Sequence, residues 1–215
     1  MIRPILPPIS PVTSTATAAE IALKTVTYAA ILGVFTFAVW IMLCNSKEKL
    51  NEPKTVPALL SFAGVGLILL LLFGATLTAV KGLILCMILL WASISDIAKH
   101  EVPDFITALI LVLAFVGFQP GSLPSMLIGA AVVFLPQLAV SILRPKRAIG
   151  GADIKISTAI AFLLGAEKGI FALLTGMMTG VIVMLIVRKI RKETNTEPFA
   201  LVPFLSFGAM LAFCV

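Results

Sequence analysis

The chain has 215 residues, 60% of them hydrophobic and 12% charged, with a mean hydropathy of +1.14 and a formal net charge of +6. A soluble domain carries about twice that share of charge, and a core this small cannot enclose so much apolar surface, so lipid must solvate much of it. The basic excess excludes a nucleic-acid partner by its placement, because Lys and Arg sit in short loops between apolar runs, where they orient helices and meet anionic lipid.

Residues 1–20 hold one basic residue, several prolines and a Ser/Thr cluster, with no continuous apolar run. That pattern predicts a loosely ordered tail and no signal peptide. Beyond it, apolar runs separated by charge or by Pro and Gly predict eight helices in a single domain, 21–215. They cover 21–43, 56–78, 82–98, 104–118, 125–143, 154–166, 169–187 and 199–215. The expected fold is all-α, a polytopic membrane bundle of about eight transmembrane helices. A full crossing takes about 20 residues, so the fourth and sixth are short. The spacings Gly165 to Gly169 and Gly176 to Gly180 fit close helix packing.

Counting basic residues by loop sets the expected topology. Lys47, Lys49, Lys54, Lys99, Arg144, Lys146, Arg147, Lys155, Arg188, Lys189, Arg191 and Lys192 fall on one side, twelve in all. Arg3, Lys24, Lys81 and Lys168 fall on the other. If one short segment failed to cross, this asymmetry would collapse, so the positive-inside rule favours every helix crossing, with both termini outside.

Two aspartates then stand out. Asp96 closes the third helix in WASISDIAKHEVPD, and Asp153 opens the sixth in IGGADIKIS. By the topology above both lie at the cytoplasmic face. A carboxylate beside the hydrocarbon costs about 2.5–3.5 kcal/mol on insertion scales. Asp153 follows two glycines, where an N-cap worth about 1 kcal/mol belongs; Asp104 after Pro103 has the same structural reading. Asp96 is harder to explain that way, since a carboxylate at a helix C-terminus faces the negative end of the macrodipole. His100 becomes its partner if the helix continues that far. Gly150, Gly151 and Ala152 leave backbone open beside Asp153, which suits either an extended peptide or a tight turn. Two converging carboxylates are the minimum equipment of an aspartyl protease.

Three segments carry a family resemblance. DIAKHEVPD sets Pro103 seven residues after Asp96, as in the first motif of the type IV prepilin peptidase family. GGADIK resembles its second, Gly-x-Gly-Asp-x-Lys, with Ala152 where glycine is usual. EPFALVPFLSFGA, from Glu197 to Ala209, is similar to the closing Pro-Phe-Gly-Pro-Phe-Leu segment, with Ala200, Leu201 and Val202 interrupting its glycine. The ordered set covers most of residues 82–215.

The resemblance implies an aspartyl endopeptidase of the inner membrane that removes the basic leader from type IV prepilins or pilin-like secretion subunits. It implies Asp96 and Asp153 as the catalytic pair, supported by Pro103, Gly150, Gly151, Ala152 and Lys155. Lys155 either orients a loop, meets an acidic group of the substrate or snorkels to the interface. The expected partners are a substrate with a basic leader and a hydrophobic helix, and membrane lipid. Larger members carry a cytoplasmic insertion with Cys-x-x-Cys pairs, associated with N-methylation; this chain has no such pairs, which implies a peptidase-only form. Cys44, Cys86 and Cys214 have no metal-ligand spacing and His100 is the single histidine, so no cofactor, zinc site or disulfide is expected. A proton-coupled transporter would instead place Asp near mid-bilayer in paired half-repeats; a non-catalytic assembly subunit is the other alternative.

Overall fold

The computed structural model describes residues 23–33, 35–37, 55–143, 150–191 and 200–215. The expected loose tail over 1–20 and Cys44 lie outside them. Eight α-helices make up these residues: α1 Leu23–Phe37, α2 Thr55–Phe73, α3 Leu77–Lys99, α4 Asp104–Ala114, α5 Leu123–Leu143, α6 Gly151–Leu164, α7 Ala166–Arg191 and α8 Val202–Cys214. A short 3-10 turn, Pro120–Ser122, leads into α5, and no strand occurs among the described residues. The all-α bundle is as the sequence predicts.

Three stretches are long and apolar enough to cross a membrane by themselves: Leu77–Lys99, Pro120–Leu143 and Ala166–Ile190. They leave large apolar side chains on the surface, among them Leu127, Leu135, Ile182 and Leu185, as lipid-facing helices do. Of the two short elements, α4 ends four residues before the apolar pattern predicts, whereas α6 begins three residues earlier and ends two earlier. With 11 and 14 residues, α4 and α6 rise about 17 and 21 Å, less than the roughly 30 Å hydrocarbon core. The chain leaves α4 in successive turns, Phe115 N–H to Val112 and Phe118 N–H to Phe115, although the sequence stays apolar. Hydropathy also runs across the break between α2 and α3. There Gly74 adopts φ 64° and the Thr76 hydroxyl accepts from Ala79 N–H, so α3 starts at Leu77 rather than 82.

Successive helices alternate in direction. Lys81, early in α3, reaches the carbonyls of Ala114 and Val116 at the end of α4. Asp104, first in α4, meets Lys155 in the first turn of α6. A side-chain carbon on Gly208 of α8 would collide with the Ala172 carbonyl of α7, and one on Gly176 would come 2.9 Å from Leu205 Cα. Glycine is therefore required where α7 and α8 cross. Gly169 likewise presses on Ala161, as its spacing predicts, whereas Gly165 ends α6 with φ 83°. The core lies among α3, α4, α6 and α8, with Leu83, Leu89, Ile106, Ile110, Ile156 and Val202 fully buried. Those four helices carry the motif residues to one end of the bundle.

Candidate active site

Asp96 occupies the last turn of α3 and is 7% exposed. The helix stops because His100 turns left-handed, φ 52° and ψ 28°, and its backbone N–H closes on the Asp96 carbonyl at 2.9 Å. His100 is the one non-glycine residue with positive φ among the described residues. The helix thus does not continue through His100, and the hydrogen bond between the two residues joins backbone groups rather than imidazole and carboxylate. Ser95 Oγ donates to the Glu101 carbonyl at 2.9 Å and holds the turn compact.

What meets the Asp96 carboxylate comes from the other end of the chain. Val202 N–H donates to Asp96 Oδ2 at 3.0 Å. Val202 is the first residue of α8, whose N-cap, Leu201, offers no side-chain acceptor. Asp96 therefore caps α8 from across the bundle, with the positive end of that helix dipole and an otherwise orphaned amide on a carboxylate. One turn deeper, Ser93 Oγ and Ser206 Oγ lie 3.0 Å apart, and each also bonds a backbone carbonyl of its own helix, Leu89 and Val202 respectively. These satisfied hydroxyls pin α3 to α8 in otherwise apolar surroundings.

Asp153 is not an N-cap. Gly150 takes that position, with φ −55° and ψ 134°, and Asp153 lies in the first turn of α6. No unusual backbone angle requires glycine at 150; room does. A Cβ there would stand 2.8 Å from Asp153 Oδ2. The carboxylate curls back over its own helix start and accepts no hydrogen bond among the described residues. Gly151 has open space on its Cβ side. Asp153 stands outside the long apolar spans. Burial pushes its pKa up to about 6, and the nearby Asp96 carboxylate adds to the rise. The Asp96 charge thus reaches Asp153.

The other motif residues frame this pair. Pro103, φ −60° and ψ 139°, is the N-cap of α4 and carries the chain from the left-handed His100 into that helix. Asp104 is no cap either. Its Oδ1 accepts from Lys155 Nζ at 2.8 Å, an exposed ion pair that ties the first motif to the second. Lys155 spans between two helices rather than reaching alone toward the interface. Ala152 is half-buried beside Asp153. Among the described residues no three His, Cys, Asp or Glu side chains gather as a metal site, and Cys86 and Cys214 are free thiols.

Sequence reasoning missed two contributors. The Val202 amide is a backbone donor and has no side-chain signature; Pro203 marks only that a helix begins there. Gln137, on α5 just past Pro136, was legible as a lone amide in an apolar run. It is buried, accepts from Ser157 Oγ at 3.1 Å one turn below Asp153, and leaves its Nε2 without a partner.

The profile of the type IV leader peptidase family matches residues 83–185, which include both aspartates. A prepilin leader peptidase/N-methyltransferase of Pectobacterium carotovorum subsp. carotovorum is 29% identical over 178 residues, 78% of this chain and 61% of that protein. The chain thus spans about three fifths of the length of that relative. No solved structure matches the chain.

Proposed function

We propose, from the match of residues 83–185 to the type IV leader peptidase family and the likeness to a prepilin leader peptidase/N-methyltransferase, that the chain is a membrane aspartyl endopeptidase that cleaves the basic leader from type IV prepilins or pilin-like secretion subunits. The observation that carries this reading is the placement of both motif aspartates at one end of the bundle, Asp96 in the last turn of α3 and Asp153 in the first turn of α6; the Asp96 charge adds to the rise of the Asp153 pKa. The division of basic residues by the sequence topology, twelve to four, supports a cytoplasmic site in the inner membrane. A basic leader entering from the cytoplasm would meet the carboxylates there.

The proposed mechanism divides the labour. In this mechanism Asp96, which accepts from the Val202 N–H, takes a proton from the attacking water. Asp153, whose pKa is pushed up to about 6, in its protonated form donates toward the scissile carbonyl oxygen. As the tetrahedral intermediate collapses, Asp96 passes its proton to the leaving amine and Asp153 recovers one from the diol hydroxyl. The pair returns to its starting charge, and its titration belongs to both groups together. A transmembrane substrate must unwind to expose its carbonyl. The open side of Gly151 beside Asp153 leaves room for such an extended segment. Methyl transfer is no part of this reading, since the chain lacks Cys-x-x-Cys pairs.

The test is cleavage of a synthetic pilin-like substrate (basic leader, glycine, then an apolar helix) by purified protein, with product masses locating the cut. Scission after the glycine, undiminished in strong chelator, is expected. Loss on chelation with recovery on added zinc would make the aspartates ligands instead of an acid–base pair.

A further inference from the structure

At the end of the bundle opposite the aspartates, the termini of α2, α3, α6, α7 and α8 and the turn after α4 line an open cavity of about 370 Å³. Its walls are apolar, with Phe73, Leu77, Leu163 and Phe213 among them. Two ammonium groups also line it, Lys81 from α3 and Lys168 from the first turn of α7, and no carboxylate does among the described residues. Lys81 is half-buried and fixed: its Nζ donates to the carbonyls of Val116 at 2.9 Å and Ala114 at 3.4 Å. These are carbonyls that α4 leaves unpaired as it ends, and they leave one of the three ammonium donors unused. Lys168 is exposed and makes no hydrogen bond or ion pair with a described residue.

A cavity with two cations and no acid calls for an anion, while its walls call for hydrocarbon. One ligand class carries both. We propose that this cavity seats an anionic phospholipid, its phosphate between Lys81 and Lys168 and an acyl chain along Phe73, Leu77 and Phe213.

Placement supports a lipid over a free ion. Lys81 and Asp96 are fifteen residues apart on α3, about 22 Å at 1.5 Å per residue. With a hydrocarbon core of about 30 Å, a bilayer whose one interface lies at the aspartates brings these ammonium groups within side-chain reach of the opposite headgroups. Net negative charge matters, because a zwitterionic headgroup would add a third cation to the two already present. The seat would also brace α3, α4, α6 and α8 at the ends remote from Asp96, Asp104, Asp153 and Val202, holding the site helices without touching the site.

The test needs no protease activity. Full-length protein in neutral detergent is melted with added phosphatidylglycerol, phosphatidylcholine or inorganic phosphate. Phosphatidylglycerol should raise Tm by about 5 °C over phosphatidylcholine, and inorganic phosphate should leave it unchanged. Lys168→Gln should lose at least half of that gain and Lys168→Arg should keep it; neither disturbs the Lys81 contacts with α4. Lys189→Gln, at the other end of α7, should keep the full gain. Equal effects of the two lipids, a full gain in Lys168→Gln, or an equal loss in Lys189→Gln would overturn the proposal. So would a gain reproduced by inorganic phosphate, which would mark a free-anion site.

Discussion

Asp96 ends a 23-residue apolar helix and is held from outside by the first amide of α8, whereas Asp153 begins a 14-residue helix and leans on a glycine. The first carboxylate is buried, hydrogen-bonded and fixed by contacts 106 residues away in sequence. The second is half-buried, unbonded among the described residues and positioned by local backbone alone. A pair of identical acids in identical surroundings would share a proton with no preference. Here the first amide of α8 donates to Asp96, whereas burial, with the Asp96 charge beside it, raises the pKa of Asp153. The proposed division of roles rests on this asymmetry of surroundings.

The largest effects come from removing either acid. Asp96→Asn and Asp153→Asn should each lower leader cleavage by about 10²–10⁴-fold, since an amide neither accepts the water proton nor returns it. Stability separates this from misfolding. The folded state of the wild type raises the Asp153 pKa from 3.8 to about 6 and so prefers the proton. Its stability therefore falls as pH rises through that interval. Asp153→Asn lacks this loss and should melt no lower than wild type at pH 7.5, by thermal unfolding in detergent.

Next in size is Gly150→Ala, which crowds Asp153 Oδ2 without demanding a forbidden backbone angle. Displacing a reacting group by about 1 Å can cost 10²-fold, so kcat should fall by about that factor with KM and abundance nearly unchanged. On the Asp96 side, Val202→Pro removes the amide that reaches the carboxylate while keeping a residue suited to the first helical position. A fall of about tenfold in kcat is expected from loss of that charge-assisted bond. Equal tolerance of both substitutions would erase the contrast between an acid held by a remote helix and one held by its own turn.

The smallest effect belongs to the ion pair. Asp104 and Lys155 are 79% and 56% exposed, and such pairs contribute about 0–1 kcal/mol and weaken in salt. Asp104→Asn should retain cleavage within about threefold of wild type and shift Tm by no more than a degree or two.

The sequence exposes what carries a cost. Carboxylates flanking apolar runs announce themselves because insertion penalises them, and eight apolar runs become eight helices. Where boundaries shift, the cause is local geometry beneath uniform hydropathy. Gly74 and Thr76 break an apolar stretch that periodicity reads through, and α4 unwinds at Phe115 although the following residues remain apolar. Asp153 and Asp104 read as caps because their spacing fits, yet Gly150 and Pro103 take those positions and free both side chains. The Val202 amide is invisible for a different reason: every residue except proline has that donor, and only the crossing of α8 over α3 aims this one at Asp96.

The central claim is that Asp96 and Asp153 form one coupled pair in which Asp153 is the acid whose pKa is raised. The direct measurement is the carboxyl titration of Asp153, followed by isotope-edited infrared spectroscopy of carboxyl-labelled protein, with Asp153→Asn identifying its band. In wild type the band should titrate near the raised value of about 6. In Asp96→Asn, where the neighbouring charge is gone, it should titrate lower while staying above 3.8, because burial persists. A titration unmoved by Asp96→Asn would show that the two carboxylates do not sense each other, and would contradict the account.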